Sequence, residues 1–225
     1  MRDLSRNNDK IWFEAHRDVY EREVREPMRR LVETLDAKVA SMAPEIVGDS
    51  RRSMFRIHRD VRFSRNKSPF KTNAGAWLYH RDAGRKVGTM GEGGGAGFYF
   101  HIDPDTCFVA GGMWMPARPA LQRIREAIAA QPTALARLTR GAAFRRRFEF
   151  SQDVKLRRVP HGFPPDHRAA EWLKLQSFTA RAFIEPSVVT SSRLVDRLCR
   201  DFALLVPLVR WLNRALGYQP AKARQ

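Results

Sequence analysis

Phe98-Tyr99-Phe100-His101-Ile102-Asp103-Pro104-Asp105-Thr106-Cys107-Phe108-Val109-Ala110 decides the fold. Two runs rich in aromatic and β-branched residues flank Asp-Pro-Asp-Thr, whose residue types favour a turn, and the pattern predicts a β-hairpin. Side chains alternate along a strand, so Phe98, Phe100 and Ile102 share one face and Tyr99 and His101 the other. Gly111-Gly112 weakens or bulges the end of the second strand before Met113-Trp114-Met115-Pro116.

Upstream, Ala74 to His80 reads as a strand, joined to the hairpin by the glycine-rich stretch Gly88 to Gly97. Downstream, Phe178 to Ile184 reads as another, closed by Pro186. Phe55 to Phe63 also alternates. Phe55, Ile57, Val61 and Phe63 share a face with Arg59, and Met54, Arg56, His58, Asp60 and Arg62 share the other, which predicts a half-buried strand.

Helical signals occupy the ends of the chain. Asn7-Asn8-Asp9 offers capping side chains before a helix with Trp12, Ala15, Val19, Tyr20 and Val24 on its apolar side. Pro27 opens a second helix, whose stripe is Met28, Leu31, Val32, Leu35, Val39 and Met42. Pro44 and Gly48 end it. Leu121, Ile124 and Ile128 mark a helix from Pro119, and short pieces follow around Leu135, Leu138, Phe144 and Phe148. Ser191 or Ser192 caps a long final helix that Pro207 kinks and Gly217 ends. Strands joined by loops and hairpins, with helices gathered at the ends, predict an α+β fold. Its mainly antiparallel sheet comes from the middle of the chain and packs on N-terminal and C-terminal helices. No linker or repeat divides the chain, so residues 1–225 are expected to form one domain.

The 225 residues include 41 Lys or Arg against 24 Asp or Glu, a formal charge of +17. Such a surplus attracts polyanions: nucleic acid, anionic lipid and phosphorylated metabolites. Arginine-rich codon usage accounts for a global surplus better than for local clustering. Cys107 and Cys199 make no disulfide framework and no C-x-x-C, which fits a reducing compartment. Met1 to Arg6 contains no apolar signal segment, and Phe202 to Val209 is too short to span a bilayer. The expectation is a cytoplasmic protein without a membrane partner; its oligomeric state is not legible.

Arg56-Ile57-His58-Arg59-Asp60-Val61-Arg62-Phe63-Ser64-Arg65-Asn66-Lys67-Ser68-Pro69-Phe70-Lys71 concentrates cations around one carboxylate, Asp60. A carboxylate can hold a guanidinium by two hydrogen bonds, leaving other cations for a phosphate or carboxylate ligand. The expected ligand-binding set is Arg56, Arg59, Asp60, Arg62, Asn66, Lys67, Lys71 and Tyr99. The same residues also suit a purely structural Arg–Asp network. Asp60 with His58 or His101 is the candidate for acid–base catalysis.

A second basic run contains Arg145, Arg146, Arg147, Arg157 and Arg158, with Phe144, Phe148 and Phe150 interleaved. Basic residues among aromatics suit single-stranded nucleic acid, although phenylalanines at helical spacing also suit a core. His58-x-Asp60 and His101-x-Asp103 could each give a metal two ligands, but Asp103 is more simply a turn residue, and His161 and His167 match no zinc spacing. The run Gly91 to Gly97 precedes a strand and not a helix, so it is not a dinucleotide fingerprint; a loop acting as a lid over the basic stretch is the expectation. No cofactor or metal is expected, and no G-x-S-x-G, H-E-x-x-H or activated cysteine is present.

Arg56-x-x-Arg59-Asp60-x-Arg62-Phe63-x-x-x-Asn66-Lys67 resembles the signature of the bacterial family called domain of unknown function 2461. Asn7-Asn8 with Trp12-Phe13, Gly97 to Ile102, Gly111 to Pro116, Leu173 to Phe178 and Leu212 to Leu216 extend the resemblance over nearly the whole chain. Phe70 stands where that family usually has Tyr. The resemblance groups these residues and implies no activity.

Overall fold

The computed structural model describes residues 1–62, 65–84 and 94–221. Asp9 starts the first long helical region, its carboxylate accepting the Trp12 N–H at 2.9 Å. The helices in chain order are α1 (Arg2–Arg6), α2 (Lys10–Ala15), α3 (Arg17–Tyr20) and α4 (Glu26–Val39). After the sheet begins come α5 (Arg118–Ala130), α6 (Ala134–Arg140), α7 (Ala142–Arg147), α8 (Ala170–Leu173), α9 (Pro186–Val189) and α10 (Leu194–Ala215). A π turn, Glu21–Arg25, joins α3 to α4 without a break. Pro27, in the first turn of α4, has no N–H for the carbonyl four residues back, and the widened turn lies immediately before it.

The strands are β1 (Ile46–Val47), β2 (Ala74–His80), β3 (Gly97–Ile102), β4 (Phe108–Met113), β5 (Glu149–Phe150) and β6 (Phe178–Phe183). They pair antiparallel in the order β1-β2-β3-β4-β6-β5. The chain is therefore α+β, a six-stranded antiparallel sheet with N-terminal and C-terminal helices. The expected hairpin is β3–β4, and β4 runs through Gly111 and Gly112, whose bare face admits Leu205: a Cβ on Gly111 would lie 2.9 Å from Leu205 Cδ1.

One sheet face makes the main core. Leu78, Phe98, Phe100, Val109 and Phe178 are buried there beneath Leu198, Phe202, Leu205 and Leu212 of α10. Phe98 and Phe202 stack with centroids 4.6 Å apart. Buried polar groups lock the helices to this layer. Asn213 on α10 donates to the Ala96 carbonyl and accepts its N–H at 3.1 and 2.8 Å, completing the backbone pairing just before β3. Arg210 meets Glu45, which is 1% exposed, at 2.7 Å.

Three expectations need correction. Phe55 to Phe63 forms no strand among its described residues; Phe63 lies outside them. Only isolated bridges join Met54 to Ala76 and His58 to Phe70, because Asn8 and the N-terminal helices hold Phe70 instead of a sheet neighbour. In the first helical region the buried side is Phe13 with half-buried Tyr20, while Ala15 and Val19 face solvent. Arg193, and neither serine, occupies the N-cap of α10; the Ser191 hydroxyl instead donates to the Val188 carbonyl. α10 continues through Pro207, which stands with Ala203 on its exposed side, so the missing hydrogen bond faces water. The expected lid, Gly91 to Gly97, lies partly outside the described residues, at 91–93.

Candidate functional site

The basic stretch is a ragged antiparallel arm. Phe55 N–H bonds to the Gly75 carbonyl at 3.0 Å, Lys71 N–H to Ile57 O and Arg59 N–H to Pro69 O, both at 2.8 Å. It is docked on the N-terminal helices through a small second core of Leu4, Phe13 and Phe70, with Trp12, Tyr20 and Ile57 around it. Phe13 and Phe70 stack at 4.1 Å. Phe70 is 2% exposed within this apolar cluster, with His58 tilted against its ring at 5.3 Å. Asn8 sits beside the stack and satisfies both the N–H and the carbonyl of Phe70, at 3.0 and 3.1 Å. The opening Asn-x-x-x-Trp-Phe pattern thus exists, physically, to hold the arm.

On this frame the predicted site residues take distinct roles. Arg62 clasps Asp60 with Nε at 3.0 Å and Nη2 at 2.7 Å, and its backbone N–H adds a third bond at 3.2 Å. Those bonds hold the Asp60 carboxyl at about 2, far below its ordinary range. The pair is solvent-exposed and joins residues two apart, so it ties no distant elements together. Lys67 closes the turn by donating to the Val61 carbonyl at 2.8 Å, and the Asn66 side chain accepts the Ser68 N–H at 2.9 Å. Arg59 is half-buried: Nη2 donates to Phe70 O at 3.2 Å, while its buried Nε has no acceptor. Arg56 is exposed and makes no hydrogen bond or ion pair among the described residues.

Lys71 and Tyr99 connect the arm to the sheet. Lys71 Nζ lies 5.6 Å from the Phe55 ring centre, and Phe55 meets Tyr99 edge-on at 5.8 Å. Tyr99 Oη bonds His101 Nδ1 at 2.9 Å, and Asn73 Nδ2 approaches the same nitrogen at 3.3 Å. Burial pushes the Tyr99 hydroxyl up to about 12 and the His101 imidazole below its ordinary value, against the opposing pull of Asp103. These values make Tyr99 the donor and neutral His101 the acceptor. Neither His58 nor His101 hydrogen-bonds Asp60: His58 is exposed against the Phe70 ring, and His101 is occupied by Tyr99. The structure does not bring the three together. Among the described residues no group of three or more His, Cys, Asp or Glu side chains converges as metal ligands.

The second basic run divides. Arg147 is structural: its guanidinium holds the 2%-exposed Asp201 at 2.7 and 2.6 Å beside Arg197 at 3.0 Å. Arg145, Arg146, Arg157 and Arg158 point into solvent. Phe144 and Phe148 are core, and half-buried Phe150 packs edge-on against Trp172. Sequence reading missed the aromatic that does lie among cations, Phe183, which is 57% exposed. Its alternation, which puts Arg181 on the same strand face, was visible, but nothing in the sequence placed Arg147 beside it.

No helix among the described residues is long and apolar enough to cross a membrane. No curated protein and no solved structure matches the chain. A family model described as a conserved hypothetical protein, DUF2461, matches residues 1–211, which include Asn8, Phe13, the basic arm, Asn73, Tyr99 and His101. The chain therefore belongs to the DUF2461 family.

Proposed function

We propose that the arm from Arg56 to Lys71 binds an anionic ligand bearing phosphate or carboxylate groups. One observation carries this reading: the arm holds six Lys or Arg and a single carboxylate, and that carboxylate is taken by the arginine two residues away. The remaining cations sit on a frame fixed by Asn8 and the Phe13–Phe70 stack, so little ordering entropy opposes binding. Arg56, Lys67 and Lys71 supply the charge, Asp60 orients Arg62, and Asn66 shapes the turn. The exposed, local geometry of the Asp60–Arg62 pair favours this over a purely structural network, because exposed pairs contribute little to stability.

A thermal-shift series with inorganic tripolyphosphate tests the proposal. Ligand at a hundred times its Kd raises stability by roughly 2.7 kcal/mol, which for a domain of this size is a rise of about 5–10 °C. The double variant Arg56→Ala, Lys67→Ala should keep its unliganded melting temperature within a few degrees and lose most of the shift. An undiminished shift in that variant, or no shift in the parent protein, overturns the proposal.

A further inference from the structure

The sheet has a second face, turned away from α10. Across it Phe183, Phe108 and His101 stand in register on β6, β4 and β3. His101 is opposite Gly75 on β2, and Phe55 of the arm follows, its N–H on the Gly75 carbonyl. Gly75 contributes no side chain, and Tyr99 fills the gap: a Cβ there would lie 2.6 Å from Tyr99 Oη. From Phe108 to Phe55 the rings touch in sequence, and Phe183 stands opposite Phe108 in the strand register. His101 stacks on Phe108 at 4.7 Å, Tyr99 lies 5.7 Å from Phe108, and Phe55 meets Tyr99 at 5.8 Å. The row crosses four strand-to-strand steps of about 4.8 Å each.

Cations close both ends. At one end Lys71 lies over Phe55 and the arm begins. At the other, Arg181 lies 5.7 Å from the Phe183 ring centre, while Arg147, engaged by Asp201, fixes the Phe183 carbonyl at 2.9 Å. The only carboxylate near Arg181 among the described residues is Glu149, at 3.8 Å, and its buried Nε has no acceptor.

We infer that this face binds single-stranded nucleic acid, with bases on the aromatic row and phosphates on the cations at its ends. A half-exposed row of rings offers stacking that any base can use, and flanking guanidinium groups suit phosphate. A duplex hides its base faces and has no use for the row. The arm's part in this rests on the anion-binding reading above; Phe183, Phe108 and Arg181 carry the rest independently.

Fluorescence anisotropy of the full chain with labelled oligothymidylate, oligouridylate and a duplex of equal length tests it. Single strands should bind more tightly than the duplex, with affinity falling as salt rises by a log–log slope of roughly −0.7 per phosphate contacted. The two single strands separate DNA from RNA as the preferred source. Phe183→Ala should weaken binding about 5- to 100-fold at an unchanged melting temperature, and Phe183→Trp should retain it. Equal affinity for duplex and single strand, or Phe183→Ala binding as the parent does, overturns the inference. If oligonucleotide binding ignores Phe183 while tripolyphosphate binding still depends on Arg56, this inference falls alone. The converse pattern sinks only the anion reading of the arm.

Discussion

Asn8 satisfies both backbone hydrogen-bonding groups of Phe70, a residue 62 positions away, at 3.0 and 3.1 Å. That contact, with the Phe13–Phe70 stack, is what fixes the basic arm. Asn8→Ala leaves the part-buried Phe70 N–H unpaired and its carbonyl to Arg59 alone, at a cost of about 1–3 kcal/mol. Phe13→Ala opens a cavity in the second core, at a cost of about 3–5 kcal/mol. Urea unfolding measures both. Tripolyphosphate affinity should fall in Asn8→Ala although no cation is removed.

Asp60 and Arg62 set a testable titration. The Asp60 carboxyl sits at about 2 in the folded chain against an ordinary 3.8, so on acidification the unfolded chain takes up the proton first. The pair's contribution is complete above 3.8 and disappears as pH falls through about 2. Carboxyl-resolved NMR should place the midpoint near 2, and Arg62→Ala, which removes the guanidinium and keeps the backbone N–H, should raise it toward the ordinary range. A midpoint unchanged in Arg62→Ala would show that the guanidinium does not hold the carboxylate.

His101 titrates in the other direction from a paired histidine. Burial lowers its value below 6.5, so the unfolded chain binds the proton first as pH falls below 6.5. Stability from this group is full above 6.5 and declines from there down to its folded value. Unfolding free energy should therefore drop on mild acidification, and His101→Asn should remove that part of the slope. Identical pH profiles for the two proteins would contradict the assignment of His101 as a neutral acceptor.

Asp201 separates structural from surface arginines. It is buried between Arg147 and Arg197, so Asp201→Ala leaves opposed cations without a counter-charge and should cost about 3–5 kcal/mol. Arg145→Ala and Arg146→Ala, which touch only solvent, should stay within about 0.5 kcal/mol of the parent protein. Chemical denaturation of the three variants distinguishes them directly.

The β3–β4 hairpin, β2, β6, α4, α5 and α10 were legible because each imposes its own period on the sequence. The arm misled for the same reason. Its alternation is that of a strand, but Phe70 and Ile57 pack on Phe13 and not on a sheet neighbour, a contact spanning more than forty residues that no local pattern records. The basic cluster at Arg56 to Lys71 was plain, whereas the division of labour within it was not: Lys67 and Asn66 serve the turn, and Asp60 serves Arg62. The aromatic row escaped notice because its members come from four strands or arms whose register only the fold supplies.

Titration calorimetry of inorganic tripolyphosphate into three proteins tests the central claim most directly: the parent chain, Arg56→Ala/Lys67→Ala, and Arg157→Ala/Arg158→Ala. Both variants lose the same formal charge from exposed positions. If the arm is the anion site, the first binds at least about tenfold more weakly, the loss expected from removing charge-assisted hydrogen bonds, and the second binds as the parent does. Equal affinity in all three, or equal weakening in both variants, would mean that the ligand responds to net charge alone and that the arm is no site.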